Sequence, residues 1–170
     1  MPVIPRERAD GEGPMDITAL PYVDEHGTEV EAPPEAVWRA LGEALDGAFS
    51  GAGATAYAQL VGCADRSASG PRPPAPGSAF PGFRVAVADP GRELVLIGRH
   101  RFSTYALVFR LDPVGPRTRV RAETRGRFPG PLGALYRLLV IGSGGHAVGV
   151  PRLLAGVRRR AERDGSGRRA

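Results

Sequence analysis

The sequence predicts one α+β domain in which an antiparallel sheet of six to seven strands curves around a long C-terminal helix. Three observations carry this expectation. An alternating segment runs through Ala32-Pro33-Pro34 into a helix start, period-two segments follow between residues 83 and 128, and a leucine- and valine-rich helical pattern closes the chain. A sheet wrapped around a helix leaves a gap between the two layers, so this order of elements points to a binding cavity more directly than to a reaction.

The length of 170 residues suits a single domain, and a hydrophobic share of 42% is enough for one ordinary core. All 23 basic residues are arginine, against 18 acidic residues, for a net charge of +5. Total absence of lysine reads as GC-rich codon usage, which weakens the case for a surface selected to bind phosphate, and no nucleic-acid partner is expected. Cys63 is the only cysteine, so no disulfide and no cysteine-based zinc site can form within the chain. The polar, proline-bearing N-terminus is not a secretory signal, and no stretch is long enough to span a bilayer. Cytoplasmic residence is the expectation.

Residues 1–18 and 165–170 are too poor in apolar groups to repay ordering and are expected to be flexible tails around a domain at 19–164. In the first strand, Tyr22, Asp24, His26, Thr28 and Val30 share the inward face, and the glutamates mark the wet side. Pro34 suits a first helical turn, with Val37, Trp38 and Leu41 at helical spacing, and a second short helix is expected over Glu43 to Phe49. Tyr57 to Cys63 is assigned to a second strand, and the Pro-rich segment Arg66 to Gly77 to a long surface loop.

Phe83 to Asp89 forms the third strand, closed by a tight turn at Pro90-Gly91. The fourth turns Leu94, Leu96, Gly98, His100 and Phe102 inward, and the fifth turns Tyr105, Leu107, Phe109 and Leu111 inward. In the sixth, Arg119, Arg121, Glu123, Arg125 and Arg127 alternate with Val120, Ala122, Thr124, Gly126 and Phe128, which puts the arginine stripe on the solvated face. After Pro129-Gly130-Pro131, a helix over Leu132 to Arg163 is expected to cover the dry face with Leu135, Leu138, Leu139, Val150, Leu153, Leu154 and Val157. The glycines between Ile141 and Gly145, together with Pro151, predict a kink or a two-part helix. Arg158, Arg159, Arg160 and Arg163 complement the C-terminal helix dipole.

This order of elements resembles the START-like helix-grip superfamily, also called SRPBCC, which includes polyketide cyclases and lipid-transfer domains. The resemblance spans roughly residues 20 to 163 and is sharpest at VEAPPEAVWRAL (30–41) and in the closing region 130–163. Neither segment is a catalytic motif. The resemblance implies a curved sheet gripping the terminal helix around an internal cavity. That fold hosts carriers and enzymes alike.

Polar groups on inward parities are the candidate ligand-binding residues: Asp24, His26, His100, Tyr105 and Thr124, with Tyr136 on the terminal helix. The histidines and Asp24 read either as strand-end residues bonded to backbone or as acid-base groups in a pocket. Tyr105, Tyr136 and Tyr57 read either as core residues with a satisfied hydroxyl or as pocket wall with a hydroxyl handle. Trp38 and Phe109 join the candidate lining, Trp38 being foremost a packing residue. No catalytic residue, cofactor or metal is assigned; His26, His100 and His146 lie on separate elements without ligand spacing. Gly142-Ser143-Gly144-Gly145 has no phosphate-loop or nucleophile-elbow context. The leading expectation is binding or transfer of a small hydrophobic molecule, lipid or polyketide-like. The alternative is a cyclase or dehydratase-type enzyme using pocket His, Asp and Tyr, and a third is an interaction module with a filled interior.

Overall fold

The computed structural model describes residues 15–140 and 145–167; the N-terminal segment 1–14, the glycine stretch 141–144 and the last three residues lie outside them. Six antiparallel strands form one sheet in the order β1-β6-β5-β4-β3-β2: β1 (Tyr22–Val30), β2 (Ala79–Phe80), β3 (Phe83–Asp89), β4 (Glu93–His100), β5 (Ser103–Val114) and β6 (Arg117–Arg127). Four helices accompany them: α1 (Pro34–Phe49), α2 (Ala52–Val61), α3 (Gly130–Val140) and α4 (Gly145–Gly167). The curved sheet and the C-terminal helix agree with the fold class expected from sequence.

Helix α1 starts on Pro33 with Pro34 in its first turn and buries Val37, Ala40, Leu41, Ala44 and Leu45, which recur every three or four residues. It runs through Gly42 as one helix, where two had been expected. A glycine costs only about 1 kcal/mol in a helix, and a Cβ at Gly42 would press within 3.2 Å of Pro74 Cδ, so the position is where the Pro-rich loop packs. That loop is pinned by Arg72, which pairs with Asp46 at 2.7 Å, donates to the Ala79 carbonyl at 3.1 Å and lies over the Phe80 ring.

The segment expected to be a second strand, Tyr57 to Cys63, is the end of α2 and its cap. Alanines at 52, 54, 56 and 58 favour helix, and the two buried positions, Ala58 and Val61, are three apart rather than two. Gly62 ends the helix in the left-handed region (φ 73°) with its N–H bonded back to Ala58 and Gln59. The second strand is instead the two-residue β2, paired with the start of β3.

Helix α4 packs against α1 and β1, burying Val150, Leu154, Val157 and Ala161 at helical spacing, and it continues through Pro151. The closing region forms two helices, α3 and α4, on either side of the glycine stretch at which a division was expected, whereas Pro151 lies within α4 without ending it. The first, α3, does not cover the dry face: Leu135, Leu138 and Leu139 are 52%, 67% and 62% exposed. The cause is Gly133, whose missing side chain lets α3 rest on strand-end backbone, since a Cβ there would lie 2.6 Å from the Phe128 carbonyl carbon. With Gly133 beneath, the leucine side of α3 turns outward.

On β1, Asp24, His26, Thr28 and Val30 hold the inward parity, but a register shift between Tyr22 and Asp24 turns Tyr22 out to 60% exposure. The arginine stripe of β6 is solvated and, from Arg117 to Arg125, neutralised in place. Arg117 faces Glu31, Arg119 faces Glu29, Arg121 faces Asp112, and Arg125 and Arg110 converge on Glu123. Burial pushes the Glu123 carboxyl up, but the bonds from Arg110 and Arg125 outweigh it and hold it below the usual carboxylate range. Within the stretch expected to be an N-terminal tail, Asp16 caps a 3-10 turn at Ile17–Ala19, and Arg125 and Arg127 donate to the Leu20 and Ala19 carbonyls.

Candidate functional site

Strand register fixes where the molecule is filled and where it is open. One inward row runs His26, Ala122, Phe109, Leu94 across β1, β6, β5 and β4, and beyond it lie Thr28, Val120 and Leu111. Those rows face α1 and make the core together with Val37, Leu41, Leu45, Leu154 and Val157. At the opposite end the inward row is Gly126, Tyr105, Gly98, so a single ring stands between two glycines. With no side chain on either neighbour, the rings of Tyr105 and Phe128 lie down over Gly98 and Gly126, and beside them a cavity of about 620 Å³ opens between the sheet and α1, α2, α3 and α4.

Its floor is Tyr105, Leu107 and Thr124, its walls are Phe49, Phe83, Phe128, Val150 and Leu153, and Tyr57, Tyr136 and Leu139 stand at the helical side. The aromatic rings interlock around it. Phe83 meets Tyr105 edge-on at 5.1 Å between centroids, His100 meets Tyr136 at 4.5 Å, and Tyr136 stacks with Phe102 at 5.9 Å.

The polar groups of the lining are few and, apart from Arg125, which is paired with Glu123, neutral. Tyr105 donates its hydroxyl proton to the Gly82 carbonyl at 2.7 Å, and Cys63 Sγ stands 3.8 Å from the same hydroxyl oxygen. Burial, reinforced by Cys63, pushes the Tyr105 phenol far above its ordinary value, and burial likewise raises the Cys63 thiol. Tyr57 and Tyr136 hydrogen-bond hydroxyl to hydroxyl, joining α2 to α3, and burial followed by that bond pushes Tyr136 upward as well. One proton of the pair is spent in their mutual bond. The other takes no part in that bond.

His100 lies behind this wall. Its Nδ1 accepts the Phe102 N–H at 3.1 Å, so in the neutral ring Nε2 carries the proton and donates to Ser103 Oγ at 3.0 Å. Burial holds its pKa below the ordinary imidazole value. This polarity makes Ser103, which lines the cavity, an acceptor from His100 rather than a nucleophile activated by it.

Of the residues proposed from sequence, Tyr105, Thr124 and Tyr136 come together in the cavity lining, and His100 supports it through Ser103 and Tyr136. Asp24 and His26 meet each other at 3.3 Å on β1, each about a quarter exposed, and neither is in the lining. Phe109 is fully buried core one row away, and Trp38 packs against that core from α1. Sequence reading missed Phe49, Cys63, Phe83, Ser103 and Phe128 as lining. Ser103 was recoverable, since extending the fifth strand by one residue gives it the parity of Tyr105; Cys63 was hidden by reading its segment as a strand.

Among the described residues no three His, Cys, Asp or Glu side chains converge to hold a metal ion, and no helix is long and apolar enough to cross a membrane. The His146 side chain lies outside the described part.

Solved structures share this architecture. A protein of Thermus thermophilus, TTHA0849, matches with a TM-score of 0.51 at 21% identity, covering 85% of this chain and 99% of its own. Mll3558 of Rhizobium loti matches with 0.52 at 14% identity, over 84% and 99% of the two chains, and a conserved protein of Geobacillus kaustophilus with 0.52 at 15%, over 82% and 94%. The chain has the helix-grip fold. At these identities the likeness is one of fold, and no family model and no curated protein matches the sequence. In this helix-grip chain the open end of the sheet, rather than any conspicuous motif, defines the candidate site.

Proposed function

We propose that the protein binds a small, largely apolar molecule carrying a hydrogen-bond acceptor such as a carbonyl, and that it sequesters or transfers that molecule. The observation that carries this reading is the cavity of about 620 Å³, largely apolar in its wall, which lies beside the Gly126-Tyr105-Gly98 row at the opposite end of the sheet from the packed core. The uncommitted hydroxyl proton of the Tyr57–Tyr136 pair supplies the donor.

The same chemistry favours binding over acid-base catalysis of the cyclase type. Tyr105, Tyr136 and Cys63 are all held protonated near neutral pH, His100 is a donor to Ser103, and the Asp24–His26 pair stands outside the lining. Native mass spectrometry of the purified chain, with displacement of the dye N-phenyl-1-naphthylamine by long-chain ketones and aromatic polyketides, tests the proposal. Saturable one-to-one uptake is expected; an absence of both co-purifying ligand and saturable dye binding would refute it.

A further inference from the structure

We propose that the outward face of α3, with the adjoining end of α2, docks on the surface of an anionic lipid bilayer. Leu132, Leu135, Leu138 and Leu139 are 65%, 52%, 67% and 62% exposed, although α3 has only three turns. With about 100° between successive residues, these four share one side, opposite Gly133, which rests on Phe128. Leu60 of α2 is 78% exposed and lies one turn from Tyr57, whose hydroxyl is bonded to Tyr136 of α3. Lone exposed leucines are ordinary on a protein surface, whereas five on two hydrogen-bonded neighbouring helices make a patch.

Charge says what covers it. Helices α2 and α3 contain no Asp or Glu. Arg137, one turn beyond Gly133 and on its side of α3, meets Leu138 at an open groove of about 680 Å³, walled also by Tyr22 and Phe128, that carries Arg127. Arg101 lies against Gly62 at the end of α2. The arginines on the outer face of the sheet are matched by carboxylates, but among the described residues Arg101, Arg127 and Arg137 form no ion pair, and Arg127 spends only one donor, on the Ala19 carbonyl at 3.0 Å. A guanidinium with free donors suits a phosphate, and exposed leucines on helices without a single acid, with unpaired arginines nearby, are the composition of a surface lying in a headgroup layer. A second copy of the chain is the poorer occupant, because a two-fold contact would set these arginines against themselves.

The test is flotation of the full chain with vesicles of phosphatidylcholine alone or containing roughly one-third phosphatidylglycerol. Binding to the anionic vesicles is expected to exceed that to neutral ones by about tenfold and to fall with added salt. R127Q and R137Q should each weaken it by about fivefold. L132S/L135S/L138S should abolish it while leaving circular dichroism and dye uptake unchanged, since none of the three lines the cavity. Equal binding to both vesicles, or wild-type flotation of either set of variants, would overturn the proposal. So would a concentration-dependent dimer in light scattering that the leucine substitutions dissolve. Because vesicle binding and dye uptake are read separately, this inference and the cavity function fail independently.

Discussion

Gly98 of β4 pairs with Tyr105 of β5, and the tyrosine ring occupies the space that a side chain at 98 would fill. A Cβ on Gly98 would lie 2.2 Å from Tyr105 Cε2 and 2.3 Å from the Gly82 carbonyl oxygen. Leaning into that gap, the ring carries its hydroxyl to Gly82 and leaves the volume above the sheet open. One absent side chain thus sets both the ring's position and the cavity beside it.

Gly98→Ala should therefore displace Tyr105 rather than be absorbed. The obstruction includes the Gly82 backbone, which cannot rotate away as a flexible side chain would, so a cost of about 1–3 kcal/mol is expected, the range for overpacking. Urea unfolding would measure it, and dye affinity should fall in parallel because the displaced ring moves toward the cavity.

Thr118 tests the junction that announces the fold. Fully buried on β6, it donates to the Ala32 carbonyl at 2.8 Å, fastening the turn between β1 and α1 to the sheet. Thr118→Val preserves shape but strands a buried acceptor, so a loss of about 1–3 kcal/mol in unfolding free energy is expected. Thr118→Ser, which keeps the hydroxyl, should recover part of it.

His100 gives the fold a pH dependence of known sign. Burial holds its folded pKa below the ordinary 6.5, and the rings of Tyr105, Tyr136 and Phe102 surround it with Ser103 as its polar partner. As pH falls below about 6.5 the unfolded chain takes up this proton before the folded one, so stability drops until the folded pKa is passed and then levels. In His100→Asn, whose Oδ1 can still accept the Phe102 N–H, that component of the decline in urea midpoint should vanish. An identical pH profile in the variant would contradict this account.

The sequence showed the sheet better than the site. Alternation from Arg119 to Phe128 leaves one solution for which face is dry, whereas Leu94 to Ile97 and Tyr105 to Phe109 are apolar on both parities and Val95, Ala106 and Val108 are buried on the other one; Pro33-Pro34 marks the helix start, because such signals act within a few residues. The end of α2 was misread because YAQLVGC is apolar enough for either state, and only the three-residue spacing of Ala58 and Val61 against the rest of the fold decides it. Leu135, Leu138 and Leu139 were placed inside by their spacing alone, while the choice of face was made by Gly133 against Phe128, a contact between elements that no local pattern reports. Tyr105 and Thr124 reach the lining on the inward parity of their strands, and Tyr136 reaches it from α3. Asp24 and His26 share that inward parity and still miss the cavity: His26 pairs with Ala122 in the filled rows, and Asp24, although paired with Thr124 of the floor, lies on edge strand β1, which contributes no lining residue.

Amide chemical-shift mapping of the labelled chain titrated with a long-chain ketone tests the central claim most directly. The account predicts saturable shifts centred on Ser103, Tyr105, Leu107, Thr124 and Leu153, lost when Leu153→Trp fills the volume between α4 and the sheet. Shifts confined to the exposed leucines of α3, or uptake undiminished by Leu153→Trp, would contradict a ligand held between sheet and helices.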